Sequence, residues 1–515
     1  MKLLDKYITQ ITQRVFAHRN NTIGLHPIIS TFIFIVFFYG KISTTTAQTI
    51  VKSSADKVAS RFSDYEIIGK NDIGLIVHFF GTNESELAVY DNQLKVVNRK
   101  ELPFKGKTAT LESMVLLKDK ILTFYSTSGD SYQYLKMKIL DSKLTVPDET
   151  LLLDSIPISS IGKGKAFYIK TSPDKSKILT FSILKSHASY FVRFTTLSDS
   201  LKLLNRNLFT ITDGENVSLK SIKINNAGNV IGVFGYGNSG DDYNTDRYTS
   251  LSFNRATNTI GEQVIQNPEY VYKNLITEVS DSRDIVYITA NYKSIKNRND
   301  IGIAYQIIDL RTNTVLLNSK LPFSEDMIYK TQTAGFKSWQ DKASIIKPKR
   351  IIPRSDGGFV LVTEGEYKTS RAERMASNNF GYYNTTPYMP SVRYIDQNYF
   401  YDIGLFSINS DGSLDWQANM PKSQFSENDD GYYSSFAFFE ANNVLKFLYN
   451  EDFYNIGNFA EYNINPNGTT VRQSVMNSEK QNLVIVPQKA KQIDGHTIVI
   501  PSEQKRNLQF VLFQY

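Results

Sequence analysis

Residues 351–367 read IIPRSDGGFVLVTEGEY, an apolar strand, a turn and a second apolar strand in one stretch. The turn is Asp356-Gly357-Gly358, residue types that accept the tight backbone a reversal needs. The run Phe359-Val360-Leu361-Val362 is apolar at successive positions. A strand's side chains alternate between its two faces, so such a run predicts burial on both. Further on, residues 402–424 read DIGLFSINSDGSLDWQANMPKSQ, again strand, polar turn and strand. Together they describe a four-stranded antiparallel module.

The same sentence recurs along the chain. Comparable central strands stand at 74–80 (GLIVHFF), 120–126 (KILTFYS), 177–184 (KILTFSIL), 229–237 (NVIGVFGYG), 284–292 (DIVYITANY), 358–367, 444–450 (VLKFLYN) and 496–501 (HTIVIP). Turn formers such as Asn71-Asp72, Asp174-Lys175, Asn226-Ala227-Gly228 and Asp494-Gly495 precede them. Whole modules are expected at 63–105, 109–156, 165–213, 218–267, 272–323, 346–424, 431–477 and 481–515. Repeats of this length and content predict an all-β fold, a β-propeller of about seven to eight four-stranded blades. The last module supplies three good strands, and residues 49–52 are expected to close it as a fourth. Tandem β-sandwiches would also yield many short strands. An outer-membrane barrel fits less well, because its strands alternate apolar and polar residues.

Residues 1–47 read as a secretory signal peptide: Lys2, Lys6, Arg14 and Arg19, then the apolar run 27–40, then STTTAQ, with cleavage expected after Ala47. Residues 48–515 are expected to form the propeller. An uncleaved anchor is the alternative reading of the leader. Of the net charge of +7, most lies there; beyond it 53 bases face 50 acids, with no basic run to track a phosphate backbone. Nucleic-acid binding is disfavoured. The chain has no cysteine, which removes disulfides, thiolate metal sites and a cysteine nucleophile.

The strings at 351–367 and 402–424 resemble uncharacterised secreted repeat proteins of Bacteroidota, which carry a DGGFVLV…DGSLDW blade pattern. A leader ending in Ala-Gln is similar to leaders of that phylum. The resemblance implies a propeller exported to the periplasm, an outer-membrane-associated position or the exterior, and it transfers no catalytic residue.

Chemistry is sparse in the sequence. His78, His187 and His496 remain beyond the leader, and His78 and His496 lie in apolar strands, where a core or interface histidine is expected. Neither HExxH nor GxSxG occurs. Asp242, Asn244 and Asp246 alternate in an acidic turn, a pattern that suits calcium's oxygen ligands or a solvated hairpin tip. Glu364, Glu366, Asp429 and Asp430 are candidates for the paired carboxylates of a glycosidase.

The segment 368–401 reads as a long insertion in the sixth module. It concentrates Phe380, Tyr382, Tyr383, Tyr388, Arg393 and Tyr394, residue types enriched at interface cores. The expectation is therefore a non-enzymatic scaffold that presents loops to a protein partner, an outer-membrane complex in the cell envelope. The alternative is a propeller-fold glycan hydrolase or lyase with carboxylates on the funnel face.

Overall fold

The computed structural model describes residues 49–57, 61–104, 109–141, 143–161, 165–186, 189–211, 217–236, 247–280, 282–329, 338–374, 392–451, 458–477, 483–504 and 507–515. They form a β-propeller of eight antiparallel sheets, six of four strands and two of five. The first seven span 64–101, 110–157, 168–211, 217–266, 270–322, 346–427 and 437–477. The eighth joins residues 491–514 to the strands Thr49–Lys52 and Asp56–Lys57. Within the four-stranded sheets, strands adjacent in sequence are adjacent in space. Each of these sheets is therefore built from local hairpins; the first six expected modules coincide with sheets to within four residues, and the seventh and eighth sheets begin six and ten residues later than expected.

Eight apolar clusters hold the sheets together, and each straddles two consecutive ones. The stretch that opened the reading shows how. Phe359 and Leu361 pack toward the fifth sheet, while Val360 and Val362 pack toward the seventh. In the first sheet Leu75, Val77 and Phe79 meet Val499, Phe510 and Leu512 of the eighth, whereas Ile76 meets the second. Successive apolar residues thus serve two interfaces, which is why the central strands do not alternate.

The eighth sheet runs Lys491–Gln492, Thr497–Gln504, Asn507–Gln514 and then Thr49–Lys52, so a strand from the opposite end of the chain sits at its edge. Thr49–Lys52 pairs antiparallel with Asn507–Gln514, in the register Ile50–Phe513 and Val51–Leu512. Ser53 N donates to Phe510 O at 2.9 Å, and Ser53 Oγ accepts from Phe510 N at 2.9 Å.

The described flanks of the 368–401 segment are not a loop. Phe359–Arg374 and Val392–Ile408 form one long hairpin, paired from Phe359–Ile408 out to Arg374–Val392. Between the fifth and sixth sheets stand the helices Glu325–Tyr329 and Trp339–Ser344, and Trp339 packs on the core those sheets share. Among the described residues, no helix is long and apolar enough to cross a membrane.

Candidate functional site

The innermost strands carry repeated β-bulges. Register shifts fall at Ile68 in the first sheet, Glu112 in the second, Lys220 in the fourth and Lys349 in the sixth. A bulge inserts one unpaired residue and re-aims its side chain. Two of the four residues so placed, Glu112 and Lys349, bear charges that meet partners inside the fold.

Glu112 lines a cleft of about 280 Å³ between the first and second sheets. Its side chain is only 4% exposed. Oε1 accepts a hydrogen bond of 2.6 Å from Ser126 Oγ, which in turn accepts one of 3.2 Å from Gln133 Nε2. Among the described residues Oε2 accepts none, and Lys165 Nζ stands 3.9 Å from it. Burial pushes the Glu112 carboxyl above its ordinary range, against the opposing pulls of Ser126 and Lys165.

Glu66, an exposed residue on the innermost strand of the first sheet, lines the same cleft. Its cross-strand neighbour is His78. His78 Nε2 shares a hydrogen bond of 2.8 Å with Ser85 Oγ, and its ring stacks on Phe80 at 5.1 Å. Burial lowers its pKa to about 4, so the ring is neutral near pH 7. Glu84 sits on the rim. The cleft thus sets a buried, hard-to-ionise carboxyl beside an exposed one, the contrast that separates an acid from its partner.

The acids singled out in the sequence are placed differently. Glu364 is fully buried; Lys422 Nζ lies 2.9 Å from its Oε1, Lys349 Nζ lies 3.5 Å from Oε2, and Ser435 Oγ donates to Oε2 at 2.7 Å. Burial lowers the Lys422 pKa, opposed by Glu364. Glu366 pairs with Lys349 at 2.6 Å and Lys347 at 3.3 Å. Burial raises its pKa, but those two lysines outweigh it and hold the carboxyl below its usual range. The basic run Lys347–Lys349–Arg350 is tied down: its two lysines join this network, and Arg350 lies 4.6 Å over the Phe438 ring. Asp429 Oδ1 accepts from Gly431 N at 2.8 Å and shapes a turn. These residues hold the sixth and seventh sheets in place.

Of the expected interface residues, Arg393 and Tyr394 are exposed on the hairpin, while Phe380, Tyr382, Tyr383 and Tyr388 lie outside the described residues, as do Asp242, Asn244 and Asp246. Among the described residues, no group of three or more His, Asp or Glu is placed to hold a metal ion. Glu66 and Glu112 went unnoticed in the sequence. The only local signal there is the break in apolar patterning at Leu111-Glu112-Ser113, which marks the bulge.

No family model and no curated protein matches the chain. Among solved structures it is similar to prolyl oligopeptidase B from Galerina marginata, at 8% identity and a TM-score of 0.38, over 88% of this chain and 55% of that one. It thus spans about half the length of that enzyme. It is also similar to a GH32 β-fructofuranosidase from Bombyx mori, at 8% identity and a TM-score of 0.25, over 94% and 97% of the two chains. A third is the endo-arabinase from Bacteroides thetaiotaomicron, at 9% identity and a TM-score of 0.23, over 50% of this chain and 89% of that one. The expectation of a non-enzymatic scaffold is corrected here. The segment meant to present aromatic loops is a paired ladder wherever it is described.

Proposed function

We propose that the chain is an exported glycan hydrolase whose acid is Glu112 and whose second carboxylate is Glu66. The observation that carries this reading is the Glu112 carboxyl: buried in a cleft, fixed by Ser126 on one oxygen and unbonded on the other. A general acid for glycoside cleavage works best with its pKa raised toward the operating pH, and burial shifts Glu112 in that direction. In this reading the protonated Glu112 oxygen gives its proton to the departing glycosidic oxygen. Glu66 supplies negative charge to the oxocarbenium-like centre and takes a proton from the water that adds to it. Lys165, held 3.4 Å from the Glu112 carbonyl oxygen, limits how far the Glu112 pKa rises. Export is supported by the leader pattern alone.

The test is reducing-sugar release from arabinan, galactan and fructan. Release by the wild type that falls about 10²–10⁴-fold in Glu112→Gln and in Glu66→Gln, each still folded, supports the assignment. Release that survives both substitutions, or none from any glycan in a broad panel, would remove it.

A further inference from the structure

The innermost strands lead from the cleft to the opposite end of the sheets. Glu66 stands near the start of Asp64–Asn71 and Lys70 near its end; Glu112 and Leu116 stand likewise on Thr110–Leu116. At that far end the turns of the first three sheets surround a second basin, of about 530 Å³. Lys70, Lys118, Lys120 and Lys175 line it. Among the described residues, none of the four ammonium groups forms an ion pair.

Lysines elsewhere in this ring are treated otherwise. Lys223 pairs with Glu278, Lys446 with Glu461 and Lys489 with Asp64. The aspartates of the basin do not neutralise its lysines. Asp174 is spent within its own turn, accepting from Ser172 Oγ at 2.6 Å, Ser176 N at 2.9 Å and Ser176 Oγ at 2.8 Å. Asp119 and Asp199 line the basin without coming within ion-pair distance of any of the four lysines.

Lys175 adds an independent observation. Its backbone is held in the left-handed region at φ 59°, between Asp174 and Ser176 of that hydrogen-bonded turn. Burial lowers its pKa, and the charge of Lys491, on the innermost strand of the eighth sheet, lowers it further. The charge of Lys491 thus adds to those of the four lysines, and among the described residues no carboxylate comes within ion-pair distance of those four. Crowded like charges are a standing cost that a bound anion removes.

We propose that this basin binds a small polyanion carrying two or more carboxylate, sulfate or phosphate groups. Its volume falls within the range of small-molecule sites, and four separated ammonium groups suit a ligand with distributed charge better than a single inorganic ion. The site stands apart from the Glu66–Glu112 cleft and does not depend on the activity proposed for it.

Titration calorimetry with tripolyphosphate and with a sulfated heparin-derived disaccharide, at about 20 and about 150 mM salt, tests it. One saturable site is expected, weaker at the higher salt. Binding should fall about tenfold or more in the Lys118→Gln/Lys120→Gln double variant and in Lys175→Gln, and stay unchanged in Lys296→Gln, a lysine 79% exposed elsewhere. Preference for the disaccharide would identify a glycan source, and preference for tripolyphosphate a phosphate source. As a second readout, Lys175→Gln should raise the melting temperature when no anion is present. The proposal is overturned by the absence of saturable binding at low salt. It is equally overturned if the basin variants bind as the wild type does, or if Lys296→Gln loses as much as they do.

Discussion

Lys422 Nζ lies 2.9 Å from Glu364 Oε1 with neither side chain exposed to solvent. The ammonium also donates to Gln424 Oε1 at 2.8 Å, and Gln424 Nε2 donates to Asn450 O at 2.7 Å. A charge pair in the sixth sheet is thereby wired to the backbone of the seventh. Removing Lys422 leaves Glu364 buried with only Lys349, at 3.5 Å, to offset its charge. Lys422→Met should destabilise the protein by about 3–5 kcal/mol in urea unfolding, and the double variant Lys422→Met/Glu364→Leu should recover most of that loss. A double variant no more stable than the single one would show that the pair is not the source of the cost.

Glu112→Gln should separate stability from activity. A carboxyl whose folded pKa is raised favours the folded state at low pH and loses that contribution as pH rises through the folded value. Relative to the wild type, Glu112→Gln should therefore gain stability as pH climbs from 5 to 8, while glycan cleavage is lost. Unfolding midpoints measured across that range are the check, and parallel pH curves would contradict it.

His78 works in the opposite sense. The unfolded ring binds a proton below its ordinary value of about 6.5, whereas the folded ring resists until about 4. Stability should fall between those limits by about 3 kcal/mol. His78→Gln should flatten that part of the curve, read by fluorescence unfolding at pH 7, 6, 5 and 4.

Gly431 turns the chain at φ 74°, and a Cβ added there would strike the Phe400 ring. That ring stands 5.7 Å from Lys422 Nζ and 5.9 Å from Lys349 Nζ. Gly431→Ala should cost about 2–4 kcal/mol through backbone strain and overpacking. Urea unfolding measures it, and a cost under about 0.5 kcal/mol would mean that the turn relaxes freely.

Deleting residues 49–53 should lower the melting temperature and expose the edge of Asn507–Gln514, whose Val511, Leu512 and Phe513 are buried. A bare apolar edge recruits further strands, so the truncated protein should self-associate on heating. Light scattering during a thermal melt checks this; an unchanged, monomeric transition would count against the pairing as a source of stability.

The fold was legible because its signals are local. The run GFVLV carries both of its interfaces in five consecutive letters, and hairpins join strands that are neighbours in sequence. The cleft was not, because its chemistry is relational. Glu112 is an ordinary glutamate until the bulge turns it inward and Ser126, on the next strand, fixes one oxygen. Glu364 and Glu366 were visible as acids, but their lysines come from other strands and loops, which spacing cannot reveal. The ends of the 368–401 segment read as a loop because they are polar and aromatic. In a ladder whose outer residues face water, such as Tyr394 at 68% exposure, no apolar face is needed to mark the strand.

The pairing of Thr49–Lys52 with Asn507–Gln514 also sets an order of events. A chain made from its N-terminus holds that first strand without a partner while seven sheets form behind it. Only when the last residues arrive does the opening strand find its place, a contact between Ser53 and Phe510 spanning 457 positions. Completion of the eighth sheet therefore requires both ends of the chain and is a contact of very long sequence separation, the kind that carries the largest loop-closure cost. A chain stopped short of residue 507 would carry its first strand as an unpaired, adhesive end.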